Sequence, residues 1–155
     1  MAKVSRYHAT GFYPLGEPPA RRKRIAATVE IARGDILHDN TAGYATNATT
    51  TFDASCYGVA AAALDNSPAV SGAEVEYYPL DTETQYIVAV GDNLIATTDV
   101  SLVVNLNSTC NTINGTAITE GIGFFIDEID VSADAIIANT YGFAIGHFVV
   151  KGTQA

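Results

Sequence analysis

Apolar residues in this chain come in short runs, each closed by Gly, Asn, Asp or Pro, and none keeps a helical period long enough for a long helix. Val75 to Leu80, Tyr86 to Val90, Leu102 to Leu106, Ile122 to Ile126 and Phe143 to Val150 are runs of this kind. Short β-rich runs with turn residues every ten or so positions specify an all-β fold, a compact β-barrel or β-sandwich of short strands. The last run is the most informative. Phe143, Ile145, His147 and Val149 share one face while Ala144, Gly146, Phe148 and Val150 share the other, so both faces are apolar and the strand is expected to be central or covered by a neighbouring subunit.

Three weaker elements fall around these runs. From Ile25 the pattern has period two, with Ile25, Ala27, Val29 and Ile31 on one face, which predicts a half-buried strand ending at Arg33-Gly34-Asp35. Tyr57 to Leu64 holds four consecutive alanines that suit a short helix, but Tyr57, Val59 and the following Asp65-Asn66-Ser67-Pro68 favour a buried strand. Asp130 to Asn139 is expected to make one helical turn, capped by Ser132 with Asp134 in its first turn. The Gly34-Asp35 and Gly91-Asp92 pairs each follow an apolar run and suggest two hairpins that turn alike.

Charge divides the chain in two. Lys3, Arg6, Arg21, Arg22, Lys23, Arg24 and Arg33 are seven of its eight basic residues, and against Glu17 and Glu30 they give the first 33 positions a net of plus five. The remainder has Lys151 against fifteen carboxylates, a net of minus fourteen, so the whole chain stands at −9. Pro14, Pro18 and Pro19 forbid a helix in the basic part. Residues 1–24 are therefore read as an extended basic N-terminal arm, and residues 25–155 as a single β-rich domain. An acidic body repels DNA at moderate salt, so no nucleic acid is expected as a partner; the arm suits an acidic protein surface. Met1 to Pro14 has no apolar run of signal-peptide type, and no segment reaches membrane-span length, so the expectation is synthesis in the cytoplasm and no membrane partner.

Chemistry-bearing motifs are sparse. His8, His38 and His147 are scattered with no zinc spacing, and His147 on its apolar strand reads as a hydrogen-bonded structural histidine. Cys56 and Cys110 match no metal pattern and read as two unpaired thiols. Sequons at Asn47, Asn107 and Asn114 read as products of an Asn-rich and Thr-rich composition. The densest acidic cluster, Asp127, Glu128, Asp130 and Asp134, lacks a calcium-loop signature, and in a regular strand Asp127 and Glu128 point to opposite faces. No catalytic residue, metal ligand or cofactor is assigned, and the chain is read as a non-enzyme.

One resemblance adds to this reading. The succession Gly34-Asp35-Ile36-Leu37, Thr41-Ala42-Gly43, Tyr57-Gly58-Val59-Ala60-Ala61-Ala62-Ala63-Leu64-Asp65, Gly72 and Glu76-Tyr77-Tyr78-Pro79-Leu80-Asp81 resembles the head-decoration, or capsid cement, proteins of tailed bacteriophages and related viruses. Over residues 25–150 it implies a structural virion protein laid on the capsid exterior, with the major capsid protein as partner and a homotrimer as its assembly. The basic arm has no counterpart in the family pattern. On physical grounds Tyr7, Phe12 and Tyr13 are then the apolar anchors of the arm, and Arg21, Arg22, Lys23 and Arg24 its contacts to carboxylates of the capsid or a neighbouring copy. Removal of residues 1–24 is expected to leave the body folded. Two other readings compete: a tail or fibre-associated module that recognises a surface glycan or protein through loops around Tyr44, Tyr57, Tyr77 and Tyr78, and a small hydrolase with a hidden carboxylate pair.

Overall fold

A computed structural model describes residue 7 and residues 10–26, 29–40, 43–47, 56–66, 72–92, 100–106, 111–117, 121–139 and 141–151. Expectations for His8, Ala27, Thr41, Ala42, Asn107, Cys110 and the Ser67-Pro68 and Asn93-Leu94 steps lie outside the described residues. Among the described residues the fold is all-β apart from one short helix, with three sheets packed together like a sandwich.

The largest sheet is built from β1 (Phe12–Pro14), β9 (Tyr86–Asp92), β10 (Val103–Leu106), β11 (Ile113–Ala117), β12 (Gly121–Asp130) and β13 (Phe143–Lys151). Its pairings run β9–β11–β10–β12–β13 and return to β9, so five of its strands close into a ring. Every contact in it is antiparallel except β9 with β11. Period two explains its two faces. Tyr86, Val88 and Val90 of β9, Phe124 and Ile126 of β12, and Ala144 and Phe148 of β13 join one buried cluster, while the alternating Ile87, Ala89, Phe143 and Ile145 join another. The doubly apolar last run is thus central, between β9 and β12.

The second sheet has the order β2 (Arg21–Arg24), β8 (Glu74–Pro79), β6 (Cys56–Ala60), β4 (Ile36–Asp39) and β5 (Ala45–Asn47). It also curls back on itself, because Ile25, just after β2, bridges Ala45 and the Ala26 amide donates to the Ala45 carbonyl at 2.9 Å. Its Ile36, Cys56 and Val59 meet the first sheet in the main core, and its Leu37, Ala45, Ala60 and Val75 form a core of their own with Ile25 and Ile31. A two-stranded sheet, β3 (Glu30–Ile31) with β7 (Leu64–Asp65), lies against that second core.

Helix α1 (Ala133–Ala138) covers the outer face of β9 and β13 with Ala135. Its Ser132 Oγ accepts from the Ala135 amide and Asp134 stands in its first turn, as the sequence predicts. Asn139 ends it and donates to the carbonyls of Val90 at 2.9 Å and Gly142 at 2.8 Å.

Four expectations change. The strand expected from Ile25 to Ile31 is not continuous: Ile25 makes only a bridge and Glu30–Ile31 a two-residue strand, although Ile25, Val29 and Ile31 do share one core. Gly91-Asp92 does not turn but continues β9, where Asp92 pairs with Asn114; Gly34 alone has the positive φ, +89°, that makes a turn. The described part of the arm holds two strands of the body's sheets. Phe12–Pro14 pairs with β9 and Arg21–Arg24 with β8, since prolines that exclude a helix are compatible with edge strands. Phe12–Pro14 and Arg21–Arg24 are consequently parts of the body's sheets, and deletion of residues 1–24 removes two strands and the buried Phe12.

The junction of this segment with the body is a close backbone contact. A Cβ on Gly34 would lie 2.7 Å from the Gly11 Cα and 2.9 Å from the Phe12 nitrogen, whose N–H donates to the Gly34 carbonyl at 2.9 Å. Positive φ and lack of space act together, so Gly34→Ala is expected to cost more than about 2 kcal/mol. Phe12→Ala, at 1% exposure and against Phe124 and Phe148, is expected to cost about 3–5 kcal/mol. Urea denaturation of the two variants measures both; a wild-type midpoint for either would mean that the N-terminal strand is not part of the cooperative unit.

Candidate functional site

The seven residues read from sequence as arm contacts divide into three groups. Tyr7, Phe12 and Tyr13 are engaged inside the molecule. Tyr7 donates its hydroxyl proton to Asp130 and rests its ring on Phe143 at 4.8 Å, Phe12 is core, and Tyr13 carries the Arg33 guanidinium over its ring at 5.2 Å. Burial, partly opposed by Arg33 and reinforced by Asp35, raises the Tyr13 phenol above its ordinary value. These aromatics anchor the segment to its own chain, which corrects their reading as anchors to another surface.

Lys23 forms the second group. Successive side chains of β2 alternate, and Lys23, opposite the buried Val75, turns to the side of the second core. Its ammonium donates to Asp39 Oδ2 and sits 4.5 Å from the Tyr57 ring centroid, which in turn meets Tyr77 edge-on at 5.1 Å. Burial first, and then the Asp39 carboxylate, push the Tyr57 phenol well above its usual range. The Tyr57 hydroxyl and Asp39 Oδ1 are both buried without a well-formed hydrogen bond, although the hydroxyl lies close enough to feel the carboxylate. Lys23 is thus a cation held by a carboxylate and a ring.

Arg21, Arg22 and Arg24 make the third group and are exposed. Arg22 and Arg24 stand directly opposite Glu76 and Glu74 on β8, with Arg22 to Glu76 at 3.9 Å, both largely in water. A pair so exposed contributes little, about 0–1 kcal/mol, so these arginines can exchange their partners for others at little cost. The basic cluster thus docks on an acidic surface, as its charge implies, but that surface belongs first to its own sheet.

Outside the basic strand, one polar pair stands out. His147 Nδ1 lies 2.8 Å from Asp127 Oδ2, the same oxygen accepts from Gln85 at 3.2 Å, and the imidazole packs on Phe125 with ring centres 5.0 Å apart. The hydrogen-bonded histidine expected from sequence is observed. Its partner was not legible, because the register shifts between Ile126 and Glu128 and leaves Asp127 as the extra residue of a bulge. The pair holds an imidazole in one orientation, which is the positioning half of acid–base chemistry only. Among the described residues no group of three His, Cys, Asp or Glu could hold a metal ion.

A cleft of about 290 Å³ opens between the two larger sheets, lined by Cys56, Tyr57, Leu80, Asp81, Phe148 and Val149 among others. It lies near the lower limit of small-molecule sites. Its carboxylate is occupied locally: Asp81 Oδ1 accepts from the amides of Glu83 at 2.9 Å and Thr84 at 2.7 Å, and Oδ2 from the Thr84 hydroxyl at 3.0 Å. Partial burial works against the Asp81 charge, but the bonds from Thr84 and Glu83 outweigh it and hold the carboxyl below its ordinary value. Of the tyrosines proposed for glycan recognition, Tyr44 is exposed, whereas Tyr57 and Tyr77 pack on each other and Tyr78 packs on the main core.

No protein-family model matches this sequence, and a search of curated proteins returns no match. Its chemistry therefore rests on the residues themselves.

The four consecutive basic residues are expected to behave unequally. Lys23→Met leaves Asp39 without its cation and should lose about 2 kcal/mol in chemical denaturation, while Arg22→Ala stays within about 0.5 kcal/mol of wild type. Equal losses would contradict the division between a held lysine and exposed, weakly paired arginines. Asp81 has the depressed pKa of a carboxylate that stabilises the fold when charged, so its contribution is present above the ordinary carboxylate value and is lost as pH falls through the depressed one. The stability difference between wild type and Asp81→Asn should therefore be widest near neutral pH and close in acid; a gap that widens in acid would reverse the sign.

Proposed function

We propose that this protein is a structural component of a virion, which binds the outer surface of a viral capsid and stabilises the expanded shell. The observation that carries the reading is the exposed basic strand Arg21–Arg24 on an otherwise acidic molecule, joined to the resemblance of residues 25–150 to head-decoration proteins. Arg21, Arg22 and Arg24 pair with carboxylates of the major capsid protein, exchanging weak exposed partners for ones removed from water. Tyr7, Phe12, Tyr13 and Lys23 have no part in that contact; they hold the strand in place.

Stabilisation of a shell needs no chemistry beyond differential binding. A protein that binds the expanded state and not its precursor adds RT ln(1 + [L]/Kd) per site, about 2.7 kcal/mol at a hundredfold excess over Kd. Copies that touch one another add avidity. A homotrimer is what the family resemblance implies, and the heads of tailed viruses are the corresponding location.

Because residues 1–24 include two strands of the body, the informative variant reverses charge rather than deleting the segment. Arg21→Glu with Arg24→Glu is expected to leave thermal unfolding near wild type and to weaken binding to expanded shells by about 10- to 100-fold at low salt, with the gap narrowing as salt rises. Binding measured by co-sedimentation that is unchanged at every salt concentration would remove the basic strand from the interface.

A further inference from the structure

Two parts of the surface are left open by the fold. Helix α1 turns Ile136 and Ile137 outward, because Ile87, Phe143 and Ile145 fill the space beneath it. The other part is an edge of backbone, and its charge selects what can pair with it. Strand β2 ends the order of the second sheet and pairs with β8 on one side. In an antiparallel pair, alternate residues exchange hydrogen bonds with the partner strand, and the residues between them point their N–H and C=O the other way. The Ile25 amide donates to the Ala73 carbonyl at 3.0 Å, so the register carries the bonded positions back to Lys23 and Arg21. Arg22 and Arg24 are the positions between.

Two neighbours agree with this parity. The Ala26 amide turns away from β8 and donates to the Ala45 carbonyl at 2.9 Å, and the Glu76 carbonyl, opposite Arg22, turns away from β2 and accepts from the Ala61 amide at 2.8 Å. The amides and carbonyls of Arg22 and Arg24 therefore face an edge that no strand among the described residues covers. Side chains decide what can pair there. Glu76 and Glu74 stand opposite Arg22 and Arg24 on the β8 side, and Arg21, on the other face, stands opposite Tyr77. On the open side the first side chains met by an added strand are the arginines themselves. The β2 of a second copy would set arginine against arginine, and like charges directly opposite are destabilising. A strand with carboxylates at i and i+2 is the complement, because side chains two apart share a face and both acids then fall opposite Arg22 and Arg24. The five donors of a guanidinium can serve a carboxylate on each flank, one from β8 and one from the newcomer.

We propose that an extended acidic segment of the partner protein adds to the second sheet as a strand beside β2, bonded to the amides and carbonyls of Arg22 and Arg24 with its carboxylates against their side chains. Backbone bonds supply affinity in such an addition, and the alternate side chains supply selectivity. That the partner is the capsid protein rests on the function proposed above; the added strand itself does not.

Amide hydrogen exchange of the full chain, read by NMR, tests the edge. In free protein the Arg22 and Arg24 amides should exchange at least about tenfold faster than those of Arg21 and Lys23, which lie in the ladder. The probe is a short peptide in which glutamate alternates with threonine. At saturation it should slow Arg22 and Arg24 by at least about tenfold, whereas the same peptide N-methylated at its glutamates, with its charge intact, should not. On expanded shells Arg24→Pro should bind at least about tenfold more weakly than Arg24→Ala, since both lose the charge and only proline loses the outward N–H; an edge position tolerates proline, so both should unfold thermally near wild type. Equal exchange of all four amides in free protein, no slowing by the peptide, or equal slowing by both peptides would overturn the added strand. Alanine and proline variants that bind shells alike, while Arg21→Glu with Arg24→Glu still weakens binding, would overturn it too and leave the capsid reading standing. Slowing by the unmethylated peptide alone, with shell binding that no substitution changes, would uphold the added strand and remove the capsid as its source.

Discussion

The carboxylate of Asp35 is only 2% exposed, and all three sheets are tied to it. It accepts from the Ala32 amide at 2.9 Å and the Asn47 side chain at 2.9 Å through one oxygen, and from the Asn111 side chain at 3.3 Å through the other. Ala32 follows β3 of the small sheet, Asn47 ends β5 of the curled second sheet, and Asn111 leads into β11 of the closed ring. A charge removed from water is tolerated only when donors replace its hydration, and bonds to an ionised acceptor are stronger than neutral ones. The backbone around it is equally committed. Asp35 donates its N–H to the Ala32 carbonyl and accepts from Ala60 through its own carbonyl, while Gly34 touches Gly11. The sheets meet where this turn places the carboxylate, and the N-terminal strand enters the core beside it.

The charge asymmetry of the sequence acquires a different meaning from that position. A run of plus charges followed by an acidic body looks like a strap and a partner's surface. In the fold the strap has already found a surface, because Glu74, Glu76 and Asp39 lie beside Arg24, Arg22 and Lys23. Each contact differs in the water left around it. The Lys23 contact is half-buried and backed by an aromatic ring, so it is structural; the arginine contacts are exposed, weak and exchangeable. A single four-residue strand thereby holds the fold on one face and offers charge on the other.

Backbone closure accounts for much of what the surface presents. A ring of five strands and a sheet curled on itself leave few edges to cover, and the small helix is needed only over the outer face of β9 and β13. The helix is held by Asn139 at one end and by Ser132 at the other, so its outward isoleucines are fixed in place rather than free to turn inward. Their exposure is a consequence of the inner space being full.

Local pattern was sufficient for much of this protein. Period-two runs named β8, β9, β10, β12 and β13, and a serine followed two residues later by aspartate named the single helix, because these signals depend on neighbours along the chain. It also determined that the protein is all-β and that His147 needs a hydrogen-bond partner. What tertiary structure alone decided depends on distant partners. Phe12 became core and Arg21–Arg24 a strand because β9 and β8 were there to receive them, 76 and 54 positions away at Phe12↔Val88 and Arg22↔Glu76. Asp127 reached His147 because a bulge shifts the register by one residue, and Gly91-Asp92 stayed extended because β11 pairs with it in parallel. Sequence records which side chains want burial, charge or a bond; only the closed sheets decide which distant residue supplies it, since the free energy of each such contact exists only once both strands have been brought together.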